Sequence, residues 1–231
     1  MAIYWRTIFA RRAPRLEGKS GMYCFDGEQG EGKTLSAVNL LYSEAKKAPV
    51  RIYTNIDLYD FPVNAEIIKY KSAHVTEVLH QLNDQNDRQT YILVDEMAQL
   101  YLNGTYKNAT MDAFQAVTQM RKRSIVVLAT AQNFADLDTH IRRHFRYVIR
   151  CKSVMGGHHL NLWIRRRESK FDVAKDRYGG IPSGWDFLGK AKWLVNKYNT
   201  FELVSDFNEV SSKAISATLA GPVAPEKGFS T

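Results

Sequence analysis

Short apolar runs alternate along the first two thirds of the chain with segments in which apolar residues recur at helical spacing. The apolar runs are rich in branched residues and end in polar ones, which is typical of buried strands. In the intervening segments the apolar positions fall on one side of a helix. The pattern therefore predicts strands over residues 22–26, 50–56, 91–94, 124–130 and 147–151, and helices over residues 35–45, 75–82, 111–120 and 137–144.

This alternation favours an α/β fold with a mostly parallel sheet that is flanked by helices. After residue 152 the pattern is less regular, and it predicts strands over residues 160–164 and 193–195 with turns around residues 179–182. The domain organisation predicted from these features is an N-terminal arm over residues 1–20, one domain over residues 21–205 with a basic elaboration over residues 152–205, and a flexible tail over residues 206–231.

Composition and charge narrow the class of protein. The 231-residue chain is 45% apolar and 24% charged, which is ordinary for a soluble globular protein. Its net charge of +8 favours a polyanionic partner, most simply nucleic acid, although a basic surface also serves solubility alone. The two cysteines, Cys24 and Cys151, lie far apart and have no metal-binding spacing, which indicates a reducing compartment.

The N-terminal residues do not have the pattern of a secretory signal. Apolar residues come first and Arg11, Arg12 and Arg15 follow them, whereas a signal peptide carries its positive charges ahead of the apolar stretch. No apolar run in the sequence approaches the roughly 20 residues that a membrane-spanning helix needs. We therefore expect neither a signal peptide nor a membrane-spanning helix. An N-terminal arm that docks on a neighbouring subunit or on a membrane surface is the alternative interpretation.

A glycine-rich segment joins the first predicted strand to the first predicted helix. Residues 27–34 read G-E-Q-G-E-G-K-T and match the phosphate-binding pattern G-x-x-x-x-G-K-[ST] without a gap. Glycines let backbone N–H groups point at a β-phosphate, and the positive end of the helix dipole adds to the attraction. Lys33 is expected to reach the β- and γ-phosphates, and Thr34 is expected to hold Mg²⁺. The predicted nucleotide-binding residues are Gly27, Glu28, Gln29, Gly30, Glu31, Gly32, Lys33, Thr34 and Leu35.

Two acids directly follow the predicted strand over residues 91–94. A carboxylate in that position suits the second protein ligand of Mg²⁺, directly or through water, and we assign this role to Asp95. Glu96 suits a general base that polarises the attacking water. The alternative interpretation is a strand that simply ends in solvated acids.

Gln132 is a polar residue that directly follows the apolar run over residues 126–131. At the end of a buried strand beside the loop strand, Gln132 is predicted to sense the γ-phosphate and to orient water. The alternative is a strand-end hydrogen bond with no catalytic part. The guanine signature N-K-x-D is missing, since residues 196–199 read N-K-Y-N. ATP and Mg²⁺ are therefore the predicted ligands.

Taken together, the motifs resemble the additional-strand catalytic-glutamate ATPases, which have a RecA-like P-loop fold. Basic residues ahead of an apolar strand that ends in Thr130-Ala131-Gln132 resemble the FtsK/HerA superfamily. That superfamily includes DNA translocases, genome-packaging ATPases of membrane-containing icosahedral viruses and Zot-like proteins of filamentous phages. Thr54-Asn55-Ile56 is similar to the T-N-I of the Zot-like branch. The resemblance covers residues 21–152 and departs at Ala131, because the superfamily commonly has Thr and Gln adjacent.

The resemblance implies a homo-oligomeric ring, a hexamer or a pentamer, in which an arginine of one subunit completes the site of the next. Arg121 and Arg123 are the candidates for this arginine, and Arg142 and Arg143 are second choices. Zot-like proteins usually carry a transmembrane helix after the ATPase domain, and the sequence shows none. The expected function is therefore an ATP-driven translocase that packages double-stranded DNA into a viral capsid.

This expectation implies capsid or membrane-vertex proteins as further partners, and a location in the virion or the host cytoplasm. One competing hypothesis is a Zot-like ATPase that extrudes phage through an envelope. Another is a nucleotide-switched interaction module with negligible turnover.

A basic stretch runs from Arg142 to Arg177, with eleven Lys or Arg residues and only three acids. Lys and Arg neutralise phosphates without reading sequence, as a translocating motor requires. Trp163 lies within the stretch and Tyr178 directly after it, and Gly156-Gly157 predicts a flexible loop tip. The stretch is therefore predicted to contact DNA, with a solvated face or an acidic protein partner as the alternatives.

Overall fold

The secondary structure comes from a computed structural model, which describes Leu16 and residues 20–71, 88–98, 124–173, 177–190 and 192–199. The helices are α1 (Lys33–Lys47), α2 (Thr139–Arg142) and α3 (Lys192–Val195), with 3-10 turns at Phe134–Asp136 and Arg166–Glu168. The strands are β1 (Gly21–Asp26), β2 (Val50–Thr54), β3 (Asp57–Leu58), β4 (Ala65–Lys69), β5 (Gln89–Val94), β6 (Ile125–Ala131), β7 (Phe145–Val154), β8 (His158–Arg165), β9 (Lys170–Asp172), β10 (Arg177–Gly179), β11 (Gly184–Leu188) and β12 (Tyr198–Asn199).

A central sheet contains eight of these strands in the order β11-β8-β7-β1-β6-β5-β2-β4. The strands from β7 to β4 run parallel to one another, whereas β8 pairs antiparallel with β7 and β11 pairs antiparallel with β8. The predicted mostly parallel α/β fold is confirmed. Two smaller pairs, β9 with β10 and β3 with β12, lie outside the central sheet.

One strand separates the strand of the phosphate loop from the strand of the acid pair. β6 pairs with β1 on one side and with β5 on the other. Every residue of β6 is buried, because apolar groups cover both faces of this central strand. This intervening strand is the additional strand that the sequence motifs predicted, and it delivers Thr130 between the two halves of the site.

Apolar clusters lie on both faces of the sheet, as the alternation of side chains along β1 requires. Tyr23 and Phe25 belong to the cluster that α1 covers, whereas Met22 and Cys24 belong to the cluster on the other face. Helix α1 contributes a buried stripe to the first cluster: Leu35, Val38, Leu41 and Ala45. This packing fixes the start of α1, and with it the phosphate loop, over the carboxyl end of β1.

Two predicted elements differ from the structure. The strand predicted over residues 193–195 is wrong, since α3 occupies this position with Trp193 and Val195 half exposed and only Leu194 fully buried. The helix predicted over residues 137–144 is shorter, because Asp138 caps α2 by accepting a hydrogen bond from the His140 N–H.

Several other predictions lie outside the described residues. They are the helices over residues 75–82 and 111–120, the N-terminal arm except Leu16 and Ser20, the tail over residues 206–231, and the candidate arginines Arg121 and Arg123. Within the described ranges, no helix is long and apolar enough to cross a membrane.

Candidate active site

The phosphate loop connects the end of β1 to the first turn of α1. Gly30 and Gly32 both have a φ of 82°, a left-handed conformation that residues with a side chain rarely adopt. Gly32 is the N-cap of α1, no side chain caps the helix, and its first turn contains no acid. The N–H groups at the helix start are therefore available to an anion, which is the arrangement that fits a phosphate group.

Strands β7 and β8 lie behind the loop and limit the size of its residues. A Cβ atom at Gly27 would lie 3.0 Å from the backbone oxygen of Cys151, and one at Gly32 would overlap the imidazole of His159. His159 Nδ1 lies 3.2 Å from the backbone oxygen of Glu31. His159 was not among the predicted site residues, because no local motif connects it with a loop 128 residues earlier.

Two cations hold Glu28 within the loop. Lys33 Nζ donates a hydrogen bond of 3.0 Å to the Glu28 backbone oxygen. Arg177 forms a 2.8 Å ion pair with the Glu28 carboxylate. The predicted phosphate-binding lysine therefore lies at the loop, and the structure adds a second cation that the motif did not indicate.

Asp95 joins the second half of the site to the phosphate loop. Its Oδ1 atom accepts one hydrogen bond of 2.8 Å from the Thr34 hydroxyl and another of 2.8 Å from the Thr130 hydroxyl. Asn55 holds the Asp95 backbone, because its side chain donates to the Asp95 carbonyl oxygen and accepts from the Asp95 N–H, at 3.0 and 2.8 Å. The structure thus brings Thr34 and Asp95 together, as the sequence predicted.

Burial raises the pKa of Asp95, and the hydrogen bonds from Thr130 and Thr34 and the charge of Lys33 oppose this effect only in part. A buried carboxylate beside a hydroxyl oxygen, with no ion pair to a cation among the described residues, is a donor set that suits Mg²⁺. Among the described residues no group of three or more His, Cys, Asp or Glu side chains forms a metal site. Mg²⁺ in nucleotide sites commonly uses one or two protein ligands, so Thr34 and Asp95 fit this ion.

Glu96 follows Asp95 in a left-handed backbone conformation, with a φ of 52°. Its N–H donates a 2.8 Å hydrogen bond to the Thr130 hydroxyl, which also contacts Asp95. Burial raises the pKa of Glu96, and the charge of Asp95 raises it further, while Lys33 lowers it. A raised pKa suits a carboxylate that accepts a proton from water near neutral pH.

Three further candidates occupy different surroundings. Gln132 directly follows β6 and is exposed. Arg142 donates hydrogen bonds to the Tyr178 and Thr139 hydroxyls, at 3.0 and 2.7 Å. Arg143 is exposed. The roles that the sequence assigned to these side chains stay predictions.

The structure adds Asp26, at the end of β1, to the residues beside the loop. Its Oδ1 atom accepts a 2.8 Å hydrogen bond from the Phe134 N–H, and its other oxygen lies 3.5 Å from Arg150 Nε. A buried acid immediately before the loop was a signal in the sequence, but its partners come from distant segments.

Nine of the eleven basic residues in the predicted stretch fall into two groups, while Arg146 is partly buried beside Tyr23 and Lys175 lies outside the described residues. One group points inward, toward Tyr178 and the phosphate loop, and consists of Arg142, Arg150, Arg166 and Arg177. The other group is exposed and consists of Arg143, Lys152, Arg165, Arg167 and Lys170. Trp163 is buried in the core and has no face available for a nucleic-acid base. Only the exposed group therefore supports the predicted contact with DNA.

A family model described as zonular occludens toxin (Zot) matches residues 21–177, which is more than half of the chain. The chain belongs to the Zot family. The matched range contains the phosphate loop, the acid pair of β5 and Gln132. Membership confirms the predicted resemblance to the Zot-like branch, and it implies a nucleotide ligand, typically with Mg²⁺.

Solved structures are similar to this Zot-family chain in fold. The N-terminal domain of zonular occludens toxin from Neisseria meningitidis is 16% identical, with 78% of this chain and 99% of that chain covered and a TM-score of 0.56. The flagellar accessory protein FlaH from Methanocaldococcus jannaschii is 14% identical, with 68% and 88% covered and a TM-score of 0.47. A comparison with curated protein sequences finds no match. The similarity to the Zot domain confirms the predicted P-loop α/β fold.

Proposed function

We propose that this chain hydrolyses ATP and uses the energy to move DNA during phage assembly, as a Zot-like extrusion ATPase. The observation that carries the proposal is the 2.8 Å hydrogen bond between Thr34 and Asp95. It joins the start of the loop helix to the end of β5, and these two elements supply the complementary halves of a hydrolytic nucleotide site.

The chain's own residues account for binding and for proton transfer. The N–H groups of the glycine-rich loop bind the β-phosphate, and Lys33 exchanges the Glu28 carbonyl oxygen for the phosphates. Thr34 and Asp95 would hold Mg²⁺, which neutralises negative charge on the phosphate oxygens when bound. Glu96 accepts the proton of the attacking water, and the Thr130 hydroxyl holds the Glu96 backbone beside Asp95 by accepting a hydrogen bond from the Glu96 N–H.

The exposed basic side chains support DNA as the moving partner. Arg143 directly follows α2, Lys152 lies on β7 and Lys170 lies on β9, and all three side chains are exposed. Such side chains bind phosphates of any sequence. A ring of identical subunits would place these surfaces around a shared channel, with Arg121 or Arg123 of one subunit completing the site of the next.

Packaging of double-stranded DNA into a capsid is the second candidate function. The same exposed basic side chains favour it, since duplex DNA carries the denser array of phosphates. The family match supports extrusion at least as well. Extrusion predicts a membrane partner and weak affinity for duplex DNA, whereas packaging predicts strong stimulation by duplex DNA.

ATP turnover with and without DNA tests the proposal. For the purified chain we expect Mg²⁺-dependent turnover that DNA stimulates, and loss of that turnover in Lys33→Ala. Stimulation by duplex DNA would favour packaging, and stimulation that requires anionic vesicles or single-stranded DNA would favour extrusion. Absence of turnover in the parent, with nucleotide still bound, would sink the motor and leave an interaction module.

The DNA contact has its own control. Lys152→Ala and Lys170→Ala together are expected to weaken the binding of single-stranded DNA and to reduce the salt dependence of the binding constant by about 0.7 units of slope for each phosphate contact. Lys71 is an exposed lysine outside the basic stretch, so Lys71→Ala serves as the matched variant. Equal salt slopes in all three proteins would exclude the exposed group as the DNA contact.

A further inference from the structure

A small hairpin places Arg177 beside the phosphate loop. Strands β9 and β10 pair with each other outside the central sheet, and Arg177 is the first residue of β10. Its guanidinium contacts the Glu28 carboxylate at 2.8 Å across 149 residues of sequence. The neighbouring phosphate-binding lysine contacts the backbone oxygen of the same Glu28 at 3.0 Å. Both cations therefore contact the same residue of the phosphate loop.

The position of Arg177 is fixed by the packing of the residue that follows it. Tyr178 packs edge-on against Phe134, with ring centroids 5.4 Å apart. The Arg166 guanidinium lies 4.9 Å from the centre of the Tyr178 ring, and Arg142 donates to the Tyr178 hydroxyl. Arg150 donates to the Tyr178 backbone oxygen. The hairpin is thus anchored to the segment that follows β6, and Arg177 faces the loop.

The ion pair between Arg177 and Glu28 is one that a phosphate group can replace. The Glu28 side chain is 71% exposed, whereas that of Arg177 is 25% exposed. An exposed carboxylate contributes little net free energy to an ion pair, because water competes for it. Glycine-rich loops receive phosphates that carry more charge than one carboxylate, and guanidinium groups bind phosphate oxygens in a bidentate geometry.

We propose that Arg177 contacts the terminal phosphate of the nucleotide bound in its own subunit, and that Glu28 is its partner only while the loop holds no nucleotide. This inference rests on the proposed function, since it requires a triphosphate in the loop. It differs from the ring arginines, which act on a neighbouring subunit. It assigns to the β9–β10 hairpin the task of delivering one positive charge to the phosphates.

A purely structural ion pair makes the opposite prediction for Glu28. If the pair only shapes the loop, Glu28→Gln and Arg177→Ala remove the same contact and weaken nucleotide binding equally. If Arg177 binds phosphate, Glu28→Gln removes the competing carboxylate and tightens nucleotide binding, while Arg177→Ala weakens it. The double variant then behaves like Arg177→Ala alone.

The decisive measurement is the affinity for ADP and for a nonhydrolysable ATP analogue, by titration calorimetry with Mg²⁺. We expect Arg177→Ala to weaken binding of the ATP analogue by about 10–100-fold, the effect of one lost charge-assisted hydrogen bond, with little change for ADP. Glu28→Gln is expected to bind the analogue more tightly than the parent. Equal losses in both single variants, or equal losses for ADP and the analogue, would overturn the proposal.

Matched controls separate this result from general effects on charge or folding. Arg51 and Glu66 form a comparable pair at 2.9 Å on β2 and β4, at the other end of the sheet, so Arg51→Ala and Glu66→Gln are expected to bind both nucleotides like the parent. Arg177→Lys retains the positive charge and is expected to recover part of the affinity for the ATP analogue. This variant tests the proposal even when Arg177→Ala is less well folded. A parent protein that binds neither nucleotide would instead overturn the proposed function.

Discussion

Two buried aspartates end two strands of the same sheet and differ in what surrounds their charge. Asp26 ends β1 and is 1% exposed, while Asp95 follows β5 and is 3% exposed. Burial raises the pKa of both. Asp26 has the Arg150 guanidinium at 3.5 Å. Among the described residues, the Asp95 side chain accepts hydrogen bonds from the neutral hydroxyls of Thr34 and Thr130, and the charge of Lys33 lowers its pKa without forming an ion pair with it.

This difference distinguishes an acid that is paired within the fold, Asp26, from an acid that is placed to bind a cation, Asp95. A buried charge is expensive unless a counter-charge lies nearby, so a protein that leaves one uncompensated loses stability. Asp26 has its cation within the chain. Asp95 has none in contact among the described residues, and the hydroxyl beside it supplies a second oxygen ligand. Asp95 is therefore the position where a bound cation gains most.

The largest effect is expected from Asp95→Asn on turnover. The asparagine side chain still accepts hydrogen bonds from both hydroxyls but carries no charge for Mg²⁺. We expect the rate of Mg²⁺-dependent ATP hydrolysis to fall by about 100–1,000-fold, since a bound metal ion is worth several kcal/mol of charge stabilisation. Steady-state turnover over a range of Mg²⁺ concentrations measures the effect. A parental rate with a parental Mg²⁺ dependence would remove Asp95 from the site.

The second effect tests the other aspartate through its partner. Arg150→Met leaves Asp26 buried without its ion-pair partner at 3.5 Å, and we expect a loss of about 1–3 kcal/mol in the free energy of unfolding. Adding Asp26→Asn to this variant removes the stranded charge and should restore part of the loss. Urea unfolding of the two single variants and the double variant gives the coupling. Additive changes would mean that the pair contributes nothing.

A smaller effect of opposite sign is expected for the stability of Asp95→Asn. Since folding raises the pKa of Asp95 above its ordinary value of 3.8, the ionised form disfavours the folded state, and this cost is absent below that pH and grows as the pH rises through the folded-state pKa. We expect the asparagine variant to be more stable than the parent by about 0.5–2 kcal/mol at neutral pH. The gain should vanish in acid. A destabilised variant at pH 7 would show that Asp95 is already compensated.

The sequence predicted the parts of this site that lie within single segments. The loop and the acid pair are contiguous patterns whose chemistry follows from their order, and the intervening strand followed from the motif around Thr130. Asn55, His159 and Arg177 were missed as site residues, because their partners lie 40, 128 and 149 positions away. The placement of Asn55 depends on the pairing of β2 with β5. The placement of His159 and Arg177 depends on how β7, β8 and the β9–β10 hairpin pack beside the loop strand.

The errors in local structure have the same origin. The run Trp193-Leu194-Val195 has the composition of a strand, but only Leu194 reaches the core, and Trp193 packs edge-on against Tyr42 of α1 with centroids 5.0 Å apart. A run of three apolar residues does not distinguish the period of a strand from that of a helix. The basic stretch likewise gave no sign of which arginines point inward, since its composition is uniform along the segment.

The smallest effect concerns how strongly Asp95 influences its neighbour. Burial raises the pKa of Glu96 above its ordinary value of 4.5, and the negative charge of Asp95 raises it further. Asp95→Asn removes that charge and should lower the pKa of Glu96. The increase in the pKa that burial causes should remain. Carbon-13 labelling of the glutamate carboxyl groups allows the titration to be followed by NMR, with Glu96→Gln identifying the signal. If a counter-charge already neutralised Asp95, the Asp95→Asn substitution would leave the pKa of Glu96 unchanged. The contrast between the two aspartates would then fail.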